Sequence, residues 1–159
     1  MGSADRREEI LLVIQALLKA IPSVGGRVYA KMRGSAKPDE SELPALELVT
    51  SAKTPDAPVP LDDHLYVDEL HVEIAGYAKS DDAGDDLDGP VRAALNALRA
   101  DVIQAMSGLD TFGTAPLRRR FGRVTPLLTS EWTEPSTETP DGYLVLEYSV
   151  RFMFDERNP

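Results

Sequence analysis

Two segments of the chain carry hydrophobic residues at the spacing of an amphipathic helix. Between Ser3 and Ile21, apolar residues recur three and four positions apart and form one stripe. A second stripe runs from Pro90 to Met106, and Asp88 stands where a helix N-cap is expected. Both segments are therefore predicted to be helices. The charged residues of the first helix expected to face water are Arg6, Arg7, Glu9 and Lys19.

Other segments alternate apolar and polar residues, which is typical of strands that bury one face. Tyr143–Phe154 shows the clearest alternation, but apolar residues also occur on its second face, so part of that face is expected to be buried. Gly76 marks a bulge or a close backbone approach. The predicted strands are Arg27–Arg33, Ala45–Thr50, His64–Lys79, Arg118–Trp132 (interrupted by Pro126) and Tyr143–Phe154.

The order α-β-β-β-α-β-β predicts an α+β fold with two layers. A mostly antiparallel sheet of four to five strands would pack against two amphipathic helices. The other face of the sheet must then be polar or meet a partner. We expect a single domain over residues 1–159, with flexible loops at about 34–44, 53–62, 80–89 and 133–142.

Composition excludes several classes of protein. The longest apolar run, Ile10–Ile14, is far shorter than the roughly 20 residues that span a bilayer, so no membrane is expected. There is no cysteine, which excludes disulfides and thiolate chemistry. The net charge of −10 argues against binding of the DNA backbone as the main activity. The opening residues lack the apolar core of a secretory leader, so we expect the chain in the cytoplasm where it is made.

Glu69, His71 and Glu73 lie two residues apart on a predicted strand and so share one face. Carboxylates beside an imidazole could bind zinc or manganese, or act in acid–base catalysis. The simpler interpretation is the solvent face of a half-buried strand. The chain has no nucleophile elbow, Walker loop or dinucleotide-binding fingerprint, so we expect no enzyme activity and no cofactor.

Two short segments concentrate charge. The first is an acidic loop without the calcium-binding pattern of an EF-hand, which indicates a solvated loop ahead of the second helix. The second is the one basic run, which could bind phosphate or an acidic surface on another copy, or could be a solvated edge strand. The acidic residues are Asp81, Asp82, Asp85 and Asp86; the basic ones are Arg118, Arg119, Arg120 and Arg123. Trp132 is expected on a contact surface.

The layout resembles the tail terminator (tail completion) proteins of long-tailed bacteriophages. Such proteins begin with an amphipathic helix leading into a short strand, here EEILLVIQALLKAIPSVGGRVYAKM. A central strand, a mobile loop and a second long helix follow, here HVEIAGYAKSDDAGDDLDGPVRAALNALRADVIQAM, and the last strand has the form GYLVLEYSVRF. The likeness covers most of residues 5–155 and consists of a pattern of elements without a signature motif. Neck, head-closure and other minor tail proteins share much of it.

The resemblance implies a structural protein of the virion tail, present in the host cytoplasm during assembly. Such terminators form a hexameric ring that caps the tail tube, stops polymerisation of the tube protein and forms the interface to the head connector. DNA passes through the lumen without specific binding, and an acidic lining would let it slide. In this chain the acidic loop is our candidate for a lumen or tube-facing segment. The basic run and Trp132 are candidates for an interface with a subunit or partner.

Three alternatives remain. One is a head–tail connector, neck or other minor tail protein. One belongs to another class, a small metal-dependent enzyme that uses Glu69, His71 and Glu73. The third, an acidic inhibitor that mimics DNA, is disfavoured because the acidic residues are scattered along the chain.

Overall fold

The computed structural model describes residues 3–30, 43–50, 57–80, 88–109, 124–135 and 141–157. These residues form two helices and six strands. Both helices and five of the strands follow the predicted order, and the sixth, the short β3, is additional. The helices are α1 (Ser3–Lys19) and α2 (Asp88–Ser107). The strands are β1 (Val28–Ala30), β2 (Ala45–Thr50), β3 (Val59–Pro60), β4 (Leu65–Lys79), β5 (Thr125–Pro135) and β6 (Asp141–Asp155).

The strands form one mixed sheet in the order β1-β2-β4-β6-β5, with β3 paired to β4. Only the β1–β2 pair is parallel among the pairs that the structure describes. The two long strands β4 and β6 pair along their whole length, from Leu65 opposite Asp155 to Lys79 opposite Asp141. The prediction of an α+β fold, with a mostly antiparallel sheet against two helices, is confirmed.

Both helices pack against one face of the sheet, where the hydrophobic core lies. The apolar stripes of α1 and α2 meet the alternate residues of the central strands, as the strand period requires. Fully buried members of this core include Ile10, Ile14, Leu18, Leu46, Ile74, Leu95, Met106, Leu144, Leu146 and Phe152.

Gly76 lies under α2, where the sheet and the helix come very close. A Cβ atom at this position would be 2.9 Å from Leu98 Cδ2 and 3.2 Å from Leu144 Cγ. The close approach suggested by the sequence is confirmed, because an added Cβ atom would have to push these leucine side chains aside.

The N-terminal turn of α1 is attached to the sheet by two arginines, so the expectation that Arg6 and Arg7 face water is wrong. Arg7 Nη2 donates to Asp68 Oδ1 at 2.7 Å, and the Asp68 side chain is fully buried on the helix side of β4. Arg6 is buried as well, with its guanidinium carbon 3.6 Å from the centroid of the Phe154 ring. The long aliphatic part of an arginine can cover apolar surface while its guanidinium binds a carboxylate or an aromatic ring. A hydropathy pattern does not reveal such contacts.

Several boundaries differ from the prediction. Residues 57–62 of the expected loop 53–62 include β3, which pairs with β4 through Val59 opposite Val67. β5 extends to Pro135 and β6 begins at Asp141, so both ends of the expected loop 133–142 belong to strands. α2 begins at Asp88, inside the expected loop 80–89. The remainder of these loops, most of loop 34–44 and residues 118–123 of the predicted fifth strand lie outside the described residues.

No helix in the described ranges combines the length and the hydropathy needed to cross a membrane.

Candidate functional site

The face of the sheet opposite the helices is the candidate functional surface, and we call it the open face. Because directly paired residues point to the same side of a sheet, the strand register assigns its members. Glu69, His71 and Glu73 of β4 lie on this face, whereas Leu70 and Val72 between them point to the helices. Residues that pair with the outward residues of β4 extend the open face onto the neighbouring strands β2 and β6.

Large hydrophobic side chains are exposed on the open face. Seven such side chains are exposed among the described residues, and the register places five of them on this one surface. Trp132, which the sequence predicts on a contact surface, is 43% exposed. Tyr29 and Trp132 lie at the two ends of one cross-strand row, so the five are spread across the face. Several exposed apolar side chains on one face of a sheet favour its use as an interaction surface. The five are Tyr29, Val59, Leu127, Trp132 and Met153.

Acidic side chains form a second feature of the open face. Three successive cross-strand rows hold four glutamates and no lysine or arginine. We call Glu47, Glu73, Glu134 and Glu147 the acidic patch; Glu47 is buried, Glu73 and Glu147 are half-buried, and Glu134 is exposed. The rows are Ala45–Tyr77–Tyr143–Glu134, Tyr29–Glu47–Ala75–Val145–Trp132 and Val49–Glu73–Glu147–Ser130.

Two tyrosines of these rows donate hydrogen bonds to glutamates of the patch. Tyr143 Oη donates to Glu134 Oε2 at 2.5 Å, and this bond is the main reason that the pKa of Tyr143 is raised. Partial burial raises the pKa of Tyr77, and the charge of Glu47 and its hydrogen bond with Tyr77 add to the increase. Both phenols therefore stay protonated at neutral pH and act as hydrogen-bond donors.

Below the acidic patch, Glu69 is engaged by neighbouring side chains. Arg151 lies directly opposite on β6 and binds Glu69 Oε1 through Nη2 at 2.9 Å and Nε at 3.1 Å. Ser149 Oγ donates to Glu69 Oε2 at 3.3 Å, and His71 Nε2 lies 3.6 Å from the same oxygen. Arg151 thus supplies to Glu69 the positive charge that a metal ion would otherwise bring.

The structure does not bring Glu69, His71 and Glu73 together as metal ligands. Side chains two residues apart on a strand are separated by roughly 6.6 Å, and Glu73 faces Glu147 across the sheet, away from Glu69. In the described part of the chain, no group of three or more His, Asp or Glu side chains is arranged to hold a metal ion. The interpretation of these three residues as an outward strand face agrees with their half-buried positions.

Two sets of predicted site residues fall outside the described residues, and the structure places neither. They are the lumen or tube-facing candidates Asp81, Asp82, Asp85 and Asp86, and the interface candidates Arg118, Arg119, Arg120 and Arg123.

Sequence reasoning did not identify the acidic patch. Glu147 could be assigned to the outward side of β6 from its alternation, and Glu73 to the outward side of β4. Whether these two residues lie opposite each other depends on the register between strands more than 60 residues apart in sequence. The pattern of either strand alone does not specify that register.

A shallow cleft of about 350 Å³ lies on the other side of the molecule, between the end of α1 and the last turns of α2. Leu17 and Ile21 line it from α1 and the turn that follows, and Asp101 and Gln104 line it from α2. Asp101 Oδ2 accepts a hydrogen bond from Ser23 Oγ at 2.9 Å, which joins the two sides.

No protein-family model matches the chain, and comparison with curated proteins gave no match.

Proposed function

We propose that this protein is a structural component of a bacteriophage tail: a terminator that assembles into a ring, caps the tail tube and stops its growth. In this proposal the ring also forms the interface to the head connector. The support is twofold, from the order of elements that resembles this family and from a sheet with one face left uncovered by the helices.

The observation that carries the proposal is the position of the exposed hydrophobic residues. Five of the seven found among the described residues lie on the open face, where each keeps between 37% and 58% of its surface exposed. A sheet face with this composition is energetically favoured when another polypeptide covers it. A structural assembly protein provides that cover through neighbouring copies and through the end of the tube.

The net charge supports the same role. A tail ring must let DNA pass through its lumen without retaining it. A chain of net charge −10 repels the phosphate backbone, so DNA can move past it without a specific site. No cofactor and no catalytic group is part of this proposal.

The test is tube assembly in solution. Tail tube protein from the same phage is allowed to polymerise with and without the purified chain, and tube lengths are measured by electron microscopy. The expected result is short tubes that carry one ring at the capped end. Unchanged tubes, together with a chain that stays monomeric in their presence, would contradict the proposal. Binding to connector or portal rings without any effect on tubes would replace it with the connector function.

Two leucines offer a matched pair of variants for this assay. Leu127 is on the open face and Leu12 is on the outer side of α1, and their exposed fractions are nearly equal at 57% and 55%. Leu127→Ser is expected to weaken ring formation and capping, whereas Leu12→Ser is expected to leave both unchanged. Equal effects of the two substitutions would contradict the assignment of the open face as the contact surface.

A further inference from the structure

β5 forms one edge of the sheet, and among the strands that the structure describes it pairs only with β6. Side chains are exposed on both of its faces, for example Trp132 on the open face and Thr133 on the helix side. An edge strand presents a row of backbone N–H and C=O groups to which a strand of another chain can bind. With eleven residues, β5 is long enough to hold such a strand.

The register with β6 assigns each residue of β5 to a face of the sheet. A bulge between Leu128 and Ser130 leaves Thr129 outside this register, so the alternation of faces changes phase there. As a result Leu127 and Trp132, five positions apart, point to the same side, whereas a regular strand would point them to opposite sides. The open-face residues of β5 are Thr125, Leu127, Ser130, Trp132 and Glu134.

This change of phase makes β5 complementary to an antiparallel copy of itself. Directly paired residues point to the same side of a sheet, so open-face residues must meet open-face residues. Placing Leu127 of one copy opposite Trp132 of the other satisfies this condition along the strand from Thr125 to Glu134. The facing pairs are then Thr125 with Glu134 and Leu127 with Trp132 on the open face, and Pro126 with Thr133 and Leu128 with Glu131 on the helix side.

The same register brings apolar side chains together and keeps like charges apart. Leu127 and Trp132 are 57% and 43% exposed, and the twofold relation joins them in two cross-strand pairs, which stabilise a sheet. The two carboxylates of β5, Glu131 and Glu134, each face an uncharged residue of the other copy. Glu131 is also bound by Arg99 of its own chain, at 2.6 and 2.8 Å. Side-chain chemistry therefore favours this pairing along the whole strand.

Backbone groups of β5 fit the same register. Thr129 Oγ1 donates to the carbonyl of Glu147 at 3.1 Å, which places that carbonyl on the β5 side of β6. Because backbone groups alternate sides along a strand, helix-side residues of β5 such as Thr133 direct their N–H and C=O groups away from β6. Pro126 belongs to this set, and a proline is tolerated in an edge strand where its missing N–H faces outward. In the proposed register, helix-side residues face one another, so outward donors meet outward acceptors.

The helices leave room for this pairing. α2 contacts β4, β6 and β5, so it lies above β6, the middle strand of the three. In the paired sheet the two copies of β6 would be three strand spacings apart, which is roughly 14 Å. Packed helices need axes only about 8–10 Å apart, so the two α2 helices do not collide.

From this self-complementarity we infer that two copies of the chain that are not in a ring pair through their β5 strands, antiparallel, with Leu127 of one opposite Trp132 of the other. A twofold contact of this kind uses both β5 edges and closes at two copies, so it extends into neither a ring nor a fibre. The inference goes beyond the proposed function, because it assigns a second contact to the free protein. That contact covers two of the exposed apolar side chains while no tube is present.

Cysteine pairs test the register directly, since the chain has no cysteine of its own. Chains carrying Thr125→Cys are mixed with chains carrying Glu134→Cys, oxidised and separated on a non-reducing gel. Facing residues of an antiparallel pair are close enough for a disulfide, so the mixture is expected to cross-link. Either variant alone is expected to cross-link several-fold less, because its two thiols are nine residues apart along the strand, roughly 30 Å. Ser130→Cys in place of Glu134→Cys is the matched control on the same face and is expected to cross-link poorly.

A backbone variant tests the hydrogen bonds of the same contact. Thr133→Pro removes an outward N–H group, whereas Thr133→Val keeps it. Each dimer loses two such hydrogen bonds, so Thr133→Pro is expected to weaken pairing by about tenfold or more in sedimentation velocity. Thr133→Val is expected to pair as the wild type does. Circular dichroism and the melting temperature check that both variants are folded.

The outcomes separate this inference from the proposed function. Cross-linking that is equal in the mixture and in the control, or absent from both, would overturn the inference, and so would equal pairing of the two Thr133 variants. Capped tubes formed by a chain that is never dimeric when free would overturn the inference and leave the proposed function standing. A dimer with the predicted cross-link that has no effect on tubes would support the inference and contradict the proposed function.

Discussion

Glu73 and Glu147 lie directly opposite one another on β4 and β6, the two central strands of the sheet. Cross-strand partners have their Cβ atoms roughly 4.5–5.5 Å apart, and like charges in that position destabilise a sheet. The pair sits in the middle of the open face, with Glu47 diagonally adjacent on β2. Repulsion between these two side chains is expected to oppose the pairing of β4 with β6 at this position.

Removing one charge of this pair is expected to stabilise the monomer. Glu73→Gln keeps the shape of the side chain and removes the repulsion, for an expected gain of about 0.2–1 kcal/mol in the free energy of unfolding. Urea denaturation of the dilute monomer at neutral pH measures it. A loss of stability at neutral pH would show that Glu73 is favourably paired within the chain.

The ion pair between Arg7 and Asp68 is expected to contribute strongly to stability. Arg7→Ala leaves the fully buried carboxylate of Asp68 without its countercharge, for an expected loss of about 2–4 kcal/mol. Arg7→Ala combined with Asp68→Asn should recover part of this loss, since a neutral amide needs no countercharge. Lys19→Ala, on the exposed end of the same helix, should change stability by less than about 0.5 kcal/mol. Equal small effects at positions 7 and 19 would argue against the buried pair.

Overpacking beneath α2 is expected to destabilise the fold. Gly76→Ala places a methyl group against Leu98 and Leu144, for an expected cost of about 1–3 kcal/mol. Leu98→Ala creates a cavity at the same place, so the double variant should lose less than the sum of the two single losses. Thermal unfolding of the four proteins measures this coupling, and strictly additive losses would contradict the close contact.

Stability is expected to fall at alkaline pH partly through Tyr148. Burial on the helix side of the sheet raises the pKa of Tyr148 from 10.0 to about 12. Below pH 10 both folded and unfolded states hold the proton, and this contribution to stability is complete. Between pH 10 and about 12 the unfolded state releases its proton first, so stability falls by up to about 1.4 kcal/mol per pH unit.

Tyr148→Phe tests this dependence. The variant lacks the titrating group, so its unfolding free energy should fall less steeply than that of the wild type over the same pH range. The tyrosinate absorbance of the wild type should include one late-titrating group that the variant lacks. Parallel stability curves for the two proteins would show that Tyr148 ionises normally in the folded state.

The α+β class could be predicted from local sequence patterns because each of these patterns lies within a single helix or strand. The stripes of α1 and α2 and the alternation of β4 and β6 each require burial of one face, and this identified the two layers. Two-residue β3 has no periodicity to detect, and it was missed. The roles of Arg6 and Arg7 depend on contacts with β4 and β6 far along the chain, which helix periodicity does not contain.

The candidate site was predicted only in part, for the same reason. Trp132 was expected on a contact surface from its residue type, and Glu69, His71 and Glu73 were expected to share a face from their spacing. The engagement of Glu69 by Arg151 and the meeting of Glu73 with Glu147 depend on the register of distant strands. Register is determined by the packed sheet as a whole, and so the composition of the open face emerges only from the fold.

The central claim is that copies of the chain cover one another's open faces in a closed ring. Native mass spectrometry of the wild-type chain over a range of concentrations, with and without tube protein, tests it most directly. We expect a discrete species of six times the 17.4 kDa chain mass, without a series of larger assemblies. A single chain mass under every condition, or an open-ended series of oligomers, would contradict it.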